Sequence, residues 1–242
     1  KNKDQSYFLC QLSQEQLKKA LFPIGDLKKS QVREIAKEAG LSTAEKKDSQ
    51  GLCFIGKVRL PDFLQQKLHP KSGNVWEIPS DSSLFDNDRS ALESAAAPHE
   101  FHPKYGFQRG RHNGAHYYTV GQRKGLNIGG SPKPLFVLGV NTAYNAIYVG
   151  QGEDHPGLYR TALKIENKDI HWVREDLCLS AGESACYSGR IRYRQPLVDI
   201  TLHQKEDALY MAFDTPEKAI TPGQFAAWYL GDELIGSGTI AH

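Results

Sequence analysis

The last 85 residues constrain this chain more than any other part of it. From about Leu158 onward, short runs alternate apolar and polar residues: TALKIE, ACYSGRIRYR, VDITLH, ALYMAF, FAAWYL and ELIGSGTI. Alternation with period two is the pattern of strands that bury one face. Gly231-Asp232 places a tight turn between the last two runs. Six short strands separated by turn signals predict a small β-barrel.

The rest of the chain reads differently. Ser13 and Gln16 form a capping-box pattern that predicts a helix to about Leu21, broken by Pro23 and Gly25. Val32, Ile35, Ala36 and Ala39 share one helical face, so a second helix is expected from Ser30 to Ala39, with Gly40 as its C′ residue. GLCFIG is apolar and bounded by glycines, which suits a buried strand or strand-like turn. Pro61 opens an expected short helix with Phe63, Leu64 and Leu68. GNVWEI reads as a strand. The polar segment 80–104 reads as a mobile, dispensable loop, since it offers little apolar surface against its ordering entropy. AHYYTVGQRKGLNIGG reads as strand, basic glycine-rich turn and strand. LFVLGVNTAYNAIYVGQ reads as a hairpin about Thr142 to Asn145.

With 242 residues, 39 % hydrophobic and 24 % charged, the chain can form sizeable cores in one large or two to three small domains. A formal net charge of +2 excludes a uniformly basic coat, so nucleic-acid binding would come from local patches. No run approaches the roughly 20 apolar residues of a membrane span, and the start KNKDQSYFLC has no apolar leader core. Cys10, Cys53, Cys178 and Cys186 are scattered, with no C-x-x-C pair, so a reducing interior is expected rather than a disulfide framework. A start without Met, close to the first helical pattern, reads as a piece of a longer chain.

Four features could carry chemistry. On a strand, Arg190, Arg192 and Arg194 would share one face about 6.6 Å apart. That spacing is close to that of successive RNA phosphates, and a guanidinium binds phosphate in a fork. Tyr193 between them could stack a base or pack the barrel. A solvated face paired with acids explains the arginine row equally well. The Gln122-Arg123-Lys124 turn between Gly121 and Gly125 could cradle phosphate, but it lacks P-loop or dinucleotide spacing, and a structural hairpin is the stronger reading. His99 and His102, and His112 and His116, have zinc-like spacings without a cysteine pair, so no metal site is assigned. Cys53 follows Lys46 and Lys47, which would favour the thiolate, yet a lone cysteine in an apolar run is more often filler.

Taken in order, KDQSYFL, LFPIGDLKKSQVREIAKEAGL, KKDSQGLCFIG, YTVGQRKGLNIGG, GQGEDHP, HWV, RYRQ and TPGQFAAWY resemble the bacterial tRNA-specific 2-thiouridylases, the MnmA/TrmU family. The resemblance runs nearly end to end and is interrupted only around residues 80 to 110, where the polar segment looks like an insertion. It implies an α+β multidomain fold. Residues 1–57 would be the tail of an α/β ATP-pyrophosphatase (PP-loop) domain, 58–157 a small central domain with the polar insertion, and 158–242 a tRNA-binding β-barrel. It also implies the chemistry. ATP, with Mg, adenylates the C2 oxygen of wobble uridine 34, and a cysteine persulfide then delivers sulfur to C2. A second cysteine resolves the persulfide and leaves a disulfide.

By this resemblance Cys53 is the persulfide carrier, and Lys3, Asp4, Gln5, Arg192, Tyr193 and Gln224 face tRNA. The S-G-G-x-D-S-type ATP loop of the family is absent from these 242 residues, so this stretch alone is expected to be inactive. Cys10, Cys178 and Cys186 match no catalytic block. The implied partners are tRNA and a sulfur-relay protein or cysteine desulfurase, in the cytoplasm. The rival readings are a non-catalytic RNA-binding module that keeps the barrel and a stand-alone thiol enzyme built on Cys53.

Overall fold

The computed structural model describes residues 5–46, 63 and 65–242. They fall into two compact units: residues 14–69, and Pro70–His242 together with the segment before Gln14.

In the smaller unit two helices are described over their full length, and Phe63 and Gln65 are helical as well. α1 (Gln14–Leu17) is a single turn. The expected continuation to Leu21 does not form: Pro23 disfavours helical backbone at Phe22, and Ala20 closes a tight turn onto Leu17 instead. α2 (Lys29–Glu38) matches its expected span. Gln31 Oε1 accepts from the Lys28 N–H at 2.8 Å, one half of a capping box. At the other end Gly40 (φ 65°) and Leu41 donate to Lys37 and Ala36 carbonyls at 3.0 and 2.9 Å, a Schellman closure that favours glycine. The expected GLCFIG strand, and Cys53 with it, lies outside the described residues, as does most of the short helix expected from Pro61.

The larger unit contains two β-structures. The first is a four-stranded sheet in the order β2-β1-β4-β3. Its strands are β1 (Gly73–Glu77), β2 (Phe107–His112), β3 (Leu135–Asn141) and β4 (Ala146–Gln151). β1 runs antiparallel to β2 and parallel to β4, and β3–β4 is the expected hairpin. Asn145, at φ 48° in its turn, ties the hairpin down. Its side-chain amide donates to Lys71 and Ser72 carbonyls, and its oxygen accepts from Ala115 N–H, each at 3.0 Å.

Both faces of this sheet are buried. Val75, Val137, Ile147 and Val149 pack with Leu126 on one face, and Ile78, Phe136, Leu138 and Tyr148 pack with Leu84 on the other. Irregular chain covers each face. The strands expected within AHYYTVGQRKGLNIGG do not form. Residues 118–134 have no regular ladder, because Leu126 plugs a core and four positive-φ residues (Gly121, Gly125, Asn127 and Gly130) bend the path.

The polar segment is not an open loop. It forms a 3-10 turn (Ser83–Phe85), the short helix α3 (Leu92–Ala96) and a second 3-10 turn (Pro103–Tyr105) before entering β2. Ala95 and Ala96 pack on Ala162, Ala208 and Tyr210 of the barrel. Two arginines cap α3: Arg160 donates to Ala96 O at 2.6 Å and to Ile220 O at 3.0 Å, and Arg89 donates to Ala97 O. Small alanines that allow close approach, with cationic donors on the last carbonyls, order a segment whose composition alone reads as loop.

The second β-structure is the expected closed barrel, in the order β10-β5-β8-β7-β6-β9. Its strands are β5 (Tyr159–Trp172), β6 (Ser184–Arg190), β7 (Val198–Gln204), β8 (Ala208–Lys218), β9 (Phe225–Leu230) and β10 (Glu233–Ile240). Alternate residues point inward, so Leu163 and Ile165, Ile200 and Leu202, Leu209 and Met211 fill one core around Trp228. Gly236 leaves room for that indole, since a Cβ there would lie 2.5 Å from it. No described helix is long and apolar enough to cross a membrane.

Candidate nucleic-acid interface

The barrel strand carrying the arginines ends earlier than expected. β6 stops at Arg190, and residues 191–195 turn away from the ladder. The three arginines therefore do not form a row on one strand face. Arg190 is buried, its guanidinium 4.9 Å from the centre of the Tyr229 ring. Arg192 is half-buried and donates to Lys218 O at 3.0 Å and to Ala219 O. Arg194 alone of the three is exposed. The turn replaces the strand because side chains take over its backbone groups: Ile191 N–H donates to Gln195 Oε1 at 3.0 Å, and Gln195 Nε2 donates to Glu217 Oε2 at 2.9 Å.

The segment before Gln14 lies against this turn. The Tyr7 hydroxyl sits 2.7 Å from Phe225 O and 3.1 Å from Ile191 O, and burial pushes its pKa up to about 12, so it stays a donor. Cys10 is buried beside Ala227 and Tyr229, and burial raises its thiol pKa. Ser237 Oγ donates to Cys10 O at 2.7 Å, and His171 Nε2 lies 3.0 Å from Leu12 O. Phe8 is 65 % exposed, with its ring 4.3 Å from that of Tyr193.

Of the residues implied by the resemblance, Gln5, Arg192, Tyr193 and Gln224 are described. Gln5 is exposed and its carbonyl accepts from Phe8 N–H. Gln224 precedes Phe225, whose carbonyl receives Tyr7. The two chain ends of this patch and the 191–195 turn thus meet through Tyr7 and Phe8. Lys3, Asp4 and Cys53 lie outside the described residues. Sequence reasoning gave no role to Tyr7 and Phe8, although both stand inside KDQSYFL.

Three of the four histidines make structural contacts. His99 is 2.9 Å from Arg89 Nη1 and edge-on to Phe85; burial, then the charges of Arg89 and Arg160, hold its pKa down at about 4. His102 and His112 accept backbone N–H groups of Lys104 and Gly114 through Nδ1 at 3.1 and 3.0 Å. Among the described residues no three His, Cys, Asp or Glu side chains gather in a metal-binding group.

A second polar assembly, on the central sheet, was not visible in the sequence. Glu77, 4 % exposed, accepts from Gln151 Nε2 at 2.5 Å, and its Oε2 lies 3.2 Å from Arg109 Nε. Arg109 Nη2 donates in turn to Gly130 O at 2.6 Å and Ser131 Oγ at 2.8 Å. A half-buried ion pair thereby ties the glycine-rich loop to the sheet.

The architecture is a closed antiparallel barrel together with a small mixed sheet. Comparison with known families makes the assignment. Residues 1–57 match the tRNA methyl transferase HUP domain, 98–151 the tRNA methyl transferase PRC-barrel domain, and 162–240 the aminomethyltransferase beta-barrel domain. The tRNA-specific 2-thiouridylases MnmA of Flavobacterium johnsoniae and Christiangramia forsetii are each 56 % identical over 99 % of the chain. That of Levilactobacillus brevis is 44 % identical over 99 %. The chain belongs to this tRNA-specific 2-thiouridylase family. It spans 62 % of the length of the first two relatives and 57 % of the third.

Proposed function

We propose that the chain is the part of a tRNA uridine 2-sulfurtransferase that carries the sulfur-bearing thiol and the RNA-gripping domains. One observation supports this above all: three domain matches of one family fall in order along the chain, with relatives 56 % identical over 99 % of it.

No S-G-G-x-D-S-type phosphate loop occurs among the 242 residues, so no part of the adenylation of the C2 oxygen of uridine 34 is assigned to them. This chain's part begins when that oxygen is a leaving group. Cys53, charged as a persulfide by a sulfur-relay protein or cysteine desulfurase, attacks C2 through its terminal sulfur, and AMP departs with the oxygen. A second thiol then attacks Cys53 Sγ, which breaks the S–S bond, leaves sulfur on C2 and forms a protein disulfide for later reduction by a thiol. Cys10 is too buried for that second role, and Cys178 and Cys186 stand exposed on the barrel, outside any catalytic block. Gln5, Arg192, Tyr193 and Gln224, with Lys3 and Asp4, contact the tRNA. The proposed use of ATP, tRNA and reduced thiols fits a cytoplasmic reaction.

The test is Cys53→Ser in the full-length protein. The variant should form no 2-thiouridine while binding tRNA like the parent. Normal thiolation contradicts the assignment of Cys53. Loss of thiolation with tRNA binding intact also rules out a purely non-catalytic RNA-binding module.

A further inference from the structure

Charge is distributed unevenly along the chain. Residues 101–152 contain six Lys and Arg and not one Asp or Glu, whereas residues 153–242 contain nine basic and fourteen acidic residues. Residues 70–100, which hold β1 and one covering segment, carry two basic and six acidic residues, so the basic stretch is confined to β2, the loop after it and the β3–β4 hairpin, and it contrasts with an acidic barrel. We propose that the loop 119–135 of the central sheet grips the sugar-phosphate backbone of folded RNA through Arg123, Lys124 and Lys133. The proposal rests on the tRNA-modifying reading and adds to it a contact surface away from the barrel.

The loop has the properties of a preorganised anion surface. It carries no regular secondary structure, yet it is fixed at several points. Leu126 is buried in the sheet core, Gln122 Nε2 donates to Lys124 O at 2.9 Å, Gly121 N–H donates to Val137 O at 2.7 Å, and Arg109 holds the carbonyl of Gly130. Positive φ at Gly125 (84°), Asn127 (53°) and Gly130 (75°) curls it around an open cleft of about 630 Å³, with Arg123 and Lys133 among the lining residues. Glycines let a phosphate approach the backbone, and fixed loops lose little entropy on binding. Arg123 and Lys124 are exposed, and the Glu153 carboxylate that Arg123 influences is itself paired with Lys218 at 2.6 Å. Lys133 faces Asp154 at 3.8 Å across solvent, a contact worth little.

The same geometry favours RNA over an anionic membrane. A loop that binds lipid inserts apolar side chains. Here Leu126 and Ile128 both pack inward on the sheet core, so the outer face offers charge without an apolar anchor.

The experiment compares the 242-residue chain with its Arg123→Gln/Lys124→Gln/Lys133→Gln variant, whose three positions are exposed and leave the cores untouched. Affinity for a folded tRNA transcript is measured across a salt series, with phosphatidylserine vesicles as a second arm. The variant should lose about tenfold or more in affinity near 0.1 M salt, and its log–log salt slope should flatten by roughly 2 to 3. Equal affinity and slope for both proteins would overturn this inference and leave the tRNA reading standing. No tRNA binding by the parent chain would overturn both. Vesicle binding that the variant loses, with tRNA binding unchanged, would overturn it in favour of a lipid surface.

Discussion

The barrel and the central sheet solve the same problem in opposite ways. The barrel closes on itself, so its six strands bury one core and its edges pair with each other. The sheet stays open and is apolar on both faces, so it depends on irregular chain to cover each one. Segment 78–106 covers one face, and residues 115–134 cover the other. Closure pairs the barrel's own edges, so its connections add only single plugs such as Ile191 and Ile220 to the core. Openness makes the sheet's loops part of its core, and that is what holds the basic loop rigid.

The largest expected effect is in the barrel core. Trp228 is fully buried at its centre, so Trp228→Ala should cost about 3–5 kcal/mol. Denaturant unfolding of the chain checks this. A loss below about 1 kcal/mol would mean that the single-core description is wrong.

A smaller cost should follow from Arg109→Leu, which leaves the Glu77 carboxylate buried with only Gln151 as partner. Arg109 is partly exposed, so the expected cost is about 2–3 kcal/mol, below that of a fully buried pair. Amide exchange at Gly129 to Ser131 should speed up selectively. Unchanged exchange there would show that the loop does not depend on the sheet's ion pair.

The fold class was legible in the sequence because period-two alternation survives in the barrel strands, and the β3–β4 hairpin was legible for the same reason. What escaped was everything held by contacts distant in sequence. β2 (FQRGRH) has two glycine or arginine positions where a strand pattern wants apolar ones, and it is a strand only because β1 pairs with it. α3 forms because Arg160, some 64 residues later, caps it. The strand expected through Arg194 failed because Gln195 folds back onto Ile191 N–H. For the site, the resemblance supplied Gln5, Arg192, Tyr193 and Gln224, but no pattern foretold that Tyr7 would bridge Ile191 and Phe225.

A pH effect separates the covering segment from the barrel it packs on. His99 is neutral in the fold, with its pKa lowered from the ordinary 6.5 to about 4. As pH falls below 6.5 the unfolded chain takes up a proton that the folded chain refuses. Stability is therefore full above that pH, declines toward pH 4 and levels off beneath it. His99→Gln should flatten this part of the profile. An identical profile for the variant would remove His99 from the account.

The smallest effect should come from the exposed arginine of the barrel. Arg194→Gln should flatten the salt slope of tRNA binding by about one unit at most, less than the loop variant, because it removes a single charge from a barrel that is net acidic. A larger change for Arg194 than for the central loop would reverse the comparison.

The most direct measurement is hydrogen–deuterium exchange of the chain with and without folded tRNA. An RNA surface built from both regions predicts slowed exchange at residues 121–131 of the central loop and at residues 5–9 and 191–195 beside the barrel. Identical exchange in both regions with tRNA bound, or protection confined to other segments, would contradict it.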